Sequence, residues 1–155
     1  MPRFGKTSKR RLATCHEDLQ EIFNEVIKHF DCSVICGHRG KEDQDKAVAS
    51  GNSKAVWPKG RHNANPSNAV DVCPYPVDWD DRERMTYFAG MVMGIAKSKG
   101  IGLRWGGDWN QNTDLEDNGF DDLPHFELTN ILCEILTLMV MFQKTKKPYS
   151  LLIQT

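Results

Sequence analysis

An aspartate interrupts the apolar run AVDVC, residues 69–73, and His62 stands nine residues before it in the polar loop GRHNANPSN. Burying a lone carboxylate is costly on the scale of a whole domain's stability unless the group is paired or binds a cation. Asp71 therefore needs a partner. A second polar interruption lies in HFEL, residues 125–128, where His125 and Glu127 alternate with Phe126 and Leu128. Strand alternation puts Asp71 on one face with Ala69 and Cys73, and Val70 and Val72 on the other. Two strands of this kind can aim Asp71 and His125 at a common point, with His62 arriving from the loop. Two imidazoles and one carboxylate, with one position left open, are the ligand pattern of a catalytic zinc; structural zinc is usually closed by four ligands, mostly Cys. Cys73, on the face of Asp71, is a competing soft ligand. The plainer alternative pairs Asp71 with a basic side chain and leaves His62 an ordinary loop residue.

Asp122 stands three residues before His125 in DLPH. A carboxylate beside a metal-activated water can take its proton and later pass it to a leaving amine. Glu127 can accept from an imidazole N–H and so orient a ligand ring.

The elements that must position these groups are legible in part. Thr14 and Glu17 form a capping-box pattern, and Leu19, Ile22, Phe23, Val26, Ile27 and Phe30 follow at helical spacing, so a helix is expected from about Cys15 to Phe30. CSVIC reads as a strand, Glu42 to Ser50 as a short helix ended by Gly51, and 52–67 as a long loop. Asp80 or Asp81 can cap a second long helix running to Lys99. IGLRW and HFEL are further short strands. This order, without βαβ alternation, predicts an α+β fold: a small antiparallel sheet with flanking helices.

The chain has 155 residues, the size of one domain, so 1–155 is expected to be a single domain. Residues 1–13 read as a basic N-terminal segment, a solvated tail able to contact an anionic envelope, and 129–155 as a packing helix and tail. The net charge of −1 argues against a nucleic-acid partner. The five cysteines are scattered, with no CxxC pair, which suggests a reducing compartment. No apolar leader is visible at the N-terminus. The most apolar window, Ile131 to Phe142, is too short to span a bilayer.

At the residues that carry the chemistry, the sequence resembles the phage endolysins that are L-alanyl-D-glutamate endopeptidases. These are D-alanyl-D-alanine carboxypeptidase-like zinc peptidases with a hedgehog-related fold. The likeness lies in GRHN, PSNAVDV and DLPHFEL, and extends through RFGKTSKRRL, CHEDLQEIFNEVI, CGHRGKEDQ, GNSKAVWPKG, AVDVCPYPVDWDD and LRWGGDW. It implies one Zn2+ per chain on His62, Asp71 and His125, with Asp122 as general base and Arg39 as the oxyanion-stabilising arginine. Gln44 and Ser53 fall at cleft-lining pattern positions and are carried as substrate-side candidates. One departure stands out: the serine that the family has two residues before the first zinc histidine is Gly60 here.

The implied function is cleavage of the L-alanyl-D-glutamate bond of peptidoglycan for phage-mediated host lysis, by a monomer held in the host cytoplasm until a holin releases it. A D-alanyl-D-alanine carboxypeptidase is the alternative within the fold. A metal-dependent nuclease and a non-catalytic wall-binding module are the alternatives outside it. Two expectations concern the acidic loop DWNQNTDLEDNGFDD. It does not fit an EF-hand, since Thr113 and Gly119 stand where Gly and Glu are required. A looser regulatory Ca2+ site across 108–122 remains open, and Asp108 is a candidate for a substrate ammonium or a loop brace.

Overall fold

Alternation along the strands divides the molecule into an apolar side and a reactive side. In the computed structural model, which describes residues 1–129, four strands pair antiparallel: β1 (Cys32–Cys36), β2 (Ala69–Pro74), β3 (Leu103–Gly106) and β4 (Asp122–Leu128), in the order β1-β2-β4-β3. Val34, Val70, Val72 and Phe126 are buried in one core with residues of two long helices, α2 (Glu17–His29) and α4 (Arg82–Ser98). Helix α2 contributes Leu19, Ile22, Phe23 and Val26, and α4 contributes Phe88, Ala89, Val92 and Ala96. Phe126 is fully buried and meets Phe23 and Phe88 edge-on, at centroid separations of 5.5 and 6.1 Å. Truncating such a ring costs about 3–5 kcal/mol. Phe126→Ala is therefore expected to lower the urea midpoint by that free energy divided by the slope, with the slope itself unchanged, as read in equilibrium denaturation.

The expected fold is present, with instructive differences. Residues 6–12 are a helix, α1 (Lys6–Leu12), and not a solvated tail. Phe4 and Leu12 enter the core, and the Arg11 guanidinium donates to the Val34 carbonyl at 2.9 Å. Only two apolar anchors among basic residues were available to signal this. Helix α2 is capped by His16, whose Nδ1 accepts from the Asp18 N–H. The Thr14 hydroxyl instead donates to the Arg11 carbonyl and accepts from the His38 N–H. The short helix α3 (Lys41–Ala49) and the Asp81 cap of α4 are as read.

Strand β4 starts at Asp122, earlier than HFEL alone suggested. Its register against β3 jumps from Trp105↔Phe126 to Gly106↔Asp122. The irregularity accommodates Pro124, which cannot donate to a regular ladder, and such bulges re-aim side chains beside active sites. A Cβ on Gly106 would lie 2.3 Å from the Asp122 carbonyl, and one on Gly107 would strike the Trp105 ring at 2.3 Å. The pair of glycines in LRWGGDW thus lets the Asp122 end of β4 approach. The helix read over 129–155 lies outside the described residues. Among the described residues, no helix is long and apolar enough to cross a membrane.

Candidate active site

Three side chains from three places converge on the polar side of the sheet. Asp71 and His125 are direct partners across β2 and β4. His62 sits on a single 3-10 turn, Arg61–Asn63. That turn is held by Asn63, whose backbone N–H donates to the Gly60 carbonyl and whose Oδ1 accepts from the Gly60 N–H, both at 2.9 Å. The glycine that departs from the family serine is therefore braced through its backbone. Asn63 Nδ2 also donates to the Arg39 carbonyl, and the Arg39 N–H donates to the His62 carbonyl. The loop and the β1–α3 connection lock each other.

The donor atoms form a near-equilateral triangle. His62 Nε2 is 3.1 Å from Asp71 Oδ1 and 3.2 Å from His125 Nδ1, and His125 Nδ1 is 3.1 Å from the same carboxylate oxygen. The outer nitrogens are committed elsewhere: His62 Nδ1 donates to the Gly37 carbonyl at 2.7 Å, and His125 Nε2 donates to Glu127 Oε2 at 3.0 Å. Carbonyl and carboxylate oxygens only accept, so the lone pair of each neutral ring points inward. Donors bound tetrahedrally at about 2.0–2.1 Å stand about 3.3–3.4 Å apart, within a few tenths of an ångström of the observed edges. The residues fit a zinc ion.

The electrostatics agree. Burial opposes charge on His62, yet hydrogen bonding to Asp71 and Cys36 pushes its pKa up to about 10. Burial likewise opposes the Asp71 charge, and both histidines hold its carboxyl below the usual range. The cluster favours positive charge. A proton satisfies that preference at one nitrogen, whereas one central cation satisfies it at all three donor atoms.

The thiol beside the triangle is Cys36, not Cys73. Cys36 is the β1 partner of Asp71, and its sulfur lies within 4.8 Å of donor atoms of His62 and Asp71. The histidine–aspartate triangle is tighter and joins both strands. Cys73 is buried, which pushes its thiol up to about 12.

Around the triangle lies a cleft of about 670 Å³. Asp122 lines it, with Oδ2 4.0 Å from His125 Nδ1. Burial first, and then the charge of Asp71, hold the Asp122 carboxyl above the usual range. Arg39 reaches Asp71 Oδ2 at 3.5 Å. Its guanidinium also donates to Gln44 Oε1 at 3.3 Å. Gln44 is 1% exposed, and its Nε2 donates to Ser53 Oγ and the Ala55 carbonyl. Gln44 and Ser53 both border the cleft, but the polar atoms of Gln44 are spent on bracing Arg39 and the 53–55 loop.

Glu127 is 4% exposed and clamped. Arg104 donates to its Oε1 from two guanidinium nitrogens, and Arg61 Nε lies 3.6 Å from the same oxygen. Burial favours the neutral acid, but hydrogen bonds from His125 and Arg104 hold its pKa down to about 2. Arg104 was not singled out from the sequence: its alternation with Leu103 and Trp105 was readable, but its place opposite Glu127 is a strand register that only the fold supplies.

Asp108 does not line the cleft. Its two carboxylate oxygens accept from the Asn112 and Thr113 N–H groups, so it braces the loop. Asp114 accepts from the Glu116 N–H, and Asp117 from the side-chain amides of Asn110 and Asn112. Among the described residues, these carboxylates form no ligand cluster, and the expected Ca2+ site is not supported. Their acceptor capacity goes to the loop itself.

The architecture is that of a peptidase. It is similar to the solved L-Ala D-Glu endopeptidase ChiX of Serratia marcescens, with a TM-score of 0.65 and 30% identity over 82% of this chain and 90% of that one. In sequence, it is 31% identical over 135 residues to the L-alanyl-D-glutamate peptidase of Escherichia phage T5, covering 81% of this chain and 97% of that protein. Residues 1–129 match the phage L-alanyl-D-glutamate peptidase family. The chain belongs to that family.

Proposed function

We propose that the chain is a zinc-dependent endopeptidase that hydrolyses the L-alanyl-D-glutamate bond of peptidoglycan stem peptides, with His62, Asp71 and His125 as the zinc ligands. The observation that carries this reading is the inward convergence of three lone pairs whose outer partners fix both imidazole tautomers. Zinc, when bound, supplies a Lewis acid and lowers the pKa of water to about 7.

The remaining roles belong to side chains of the cleft. Asp122 takes the proton of the attacking water and passes it to the departing glutamyl nitrogen. Arg39 donates to the carbonyl oxygen as negative charge grows there, an interaction that strengthens in the transition state. Gln44 positions Arg39, and Ser53 stands at the cleft wall as a substrate-side group. Glu127 orients His125 and raises its basicity, with Arg104 holding Glu127 in turn. Loss of such an orienting partner lowers metal affinity about 10- to 100-fold. Glu127→Gln is expected to weaken zinc binding by that factor, measured by competition with a chromophoric chelator. In a phage-family enzyme, the cut would serve lysis of the host wall.

Digestion of purified peptidoglycan, with mass spectrometry of the products, tests the reading. New amino groups on D-glutamate are expected, abolished by a chelator and restored by zinc. Release of free D-alanine without new glutamate amines would instead assign the D-alanyl-D-alanine carboxypeptidase reaction.

A further inference from the structure

The position of the scissile bond has a steric consequence, which rests on the function proposed above. L-alanine is the first residue of the stem peptide, joined to the glycan through a lactyl ether. Alanyl and lactyl units together span about 7 Å when extended. A catalytic centre that cuts after this alanine must therefore accept a sugar ring close to its reacting atoms.

The cleft carries a surface suited to such a ring. From His125, a path of aromatic rings leads outward: Trp109 at 5.5 Å, then Phe120 stacked on Trp109 at 6.3 Å and 15°. Phe120 reaches the cleft rim at 45% exposure, with Lys54 Nζ 4.5 Å over its ring. Trp79 also lines the cleft and is 58% exposed.

Trp79 follows a loop that is held in place. Arg84 donates to the Tyr75 and Pro76 carbonyls, and the Asp78 carboxylate accepts from the Asp80 N–H. The braced loop therefore presents the Trp79 indole to the cleft. Aromatic rings offer an apolar face, while Asn52, Lys54 and Lys59 place polar groups around the same cleft. A pyranose matches both, with C–H groups on its faces and hydroxyl and amide groups at its edges. The stem peptide beyond D-glutamate is charged and presents no comparable flat apolar face.

We propose that the Trp79 indole is a saccharide platform at the mouth of the cleft, and that the chain selects stem peptides still attached to the glycan strand. The test compares kcat/KM on a disaccharide-linked tetrapeptide with that on the same tetrapeptide lacking sugar. Wild-type protein is expected to favour the sugar-linked substrate about two- to tenfold, the scale of one aromatic contact. Trp79→Ala is expected to bring that ratio close to one, with zinc content and thermal midpoint unchanged. Tyr87→Ala, which removes an exposed aromatic outside the cleft, should leave the ratio intact. Equal rates on the two substrates in wild-type protein, or a ratio unchanged in Trp79→Ala, would overturn the platform while leaving the bond assignment standing. Cleavage of neither substrate would overturn the bond assignment and this inference with it.

Discussion

Replacing Asp122 with alanine is expected to lower kcat by about 10²- to 10⁴-fold, the usual contribution of a positioned general acid–base group, while one zinc ion per chain is retained. Asp122 is near the triangle but not part of it: its carboxylate stands 4.0 Å from His125 Nδ1, where the triangle's own edges are 3.1–3.2 Å. Its side chain is 35% exposed toward the cleft, so truncation leaves no buried hole. The backbone approach at Gly106 is unaffected by the change. The sign of the pH effect follows from the environment. Burial, the largest influence, raises this carboxyl's pKa, so the basic form is lost, and the rate with it, as pH falls. Elemental analysis beside steady-state kinetics checks both halves of the expectation. An Asp122→Ala protein of wild-type activity would remove the residue from the mechanism.

His125→Ala is expected to lose both metal and activity, falling to the level of chelated wild-type protein. The imidazole supplies one corner of the triangle, and it is the corner Glu127 and Arg104 are arranged to hold. Without it, two corners remain, too few for a catalytic zinc site, and since the Cys36 thiol lies within 4.8 Å of both, the variant is made in a Cys36→Ser background so that the thiol cannot take the third place. Asp71 would still have Arg39 at 3.5 Å, so its charge is not left bare and the fold is expected to survive. Circular dichroism can verify this alongside metal content. Full zinc content in this variant would sink the ligand assignment. Because zinc needs neutral imidazoles, its binding weakens as pH falls and releases protons. His62, pushed up to about 10 by its neighbours, makes that coupling pronounced.

The contrast between these variants also shows what local pattern could and could not reveal. Asp71, His125 and Glu127 were readable because alternation against valines and phenylalanine leaves polar groups facing one side. What alternation cannot supply is register between distant strands. The pairing Asp71↔His125 spans 54 residues of chain, and Cys36↔Asp71 spans 35. For that reason Cys73, the near neighbour in sequence, looked like the competing thiol, and Cys36 was passed over. Gln44 shows a different limit. Its place at the cleft was implied only by the family resemblance, and its burial depends on the 53–55 loop wrapping onto its amide. At the N-terminus, Phe4 and Leu12 were too sparse to outweigh a basic run, and the helix between them emerged only against β1.

The central claim is that the His62–Asp71–His125 triangle holds the ion on which hydrolysis depends. The most direct measurement adds zinc stepwise to metal-stripped protein and follows bound metal and peptidoglycan cleavage in the same samples. Activity is expected to rise in proportion to bound zinc and to saturate at one ion per chain. Full cleavage by protein carrying no bound metal would contradict the account.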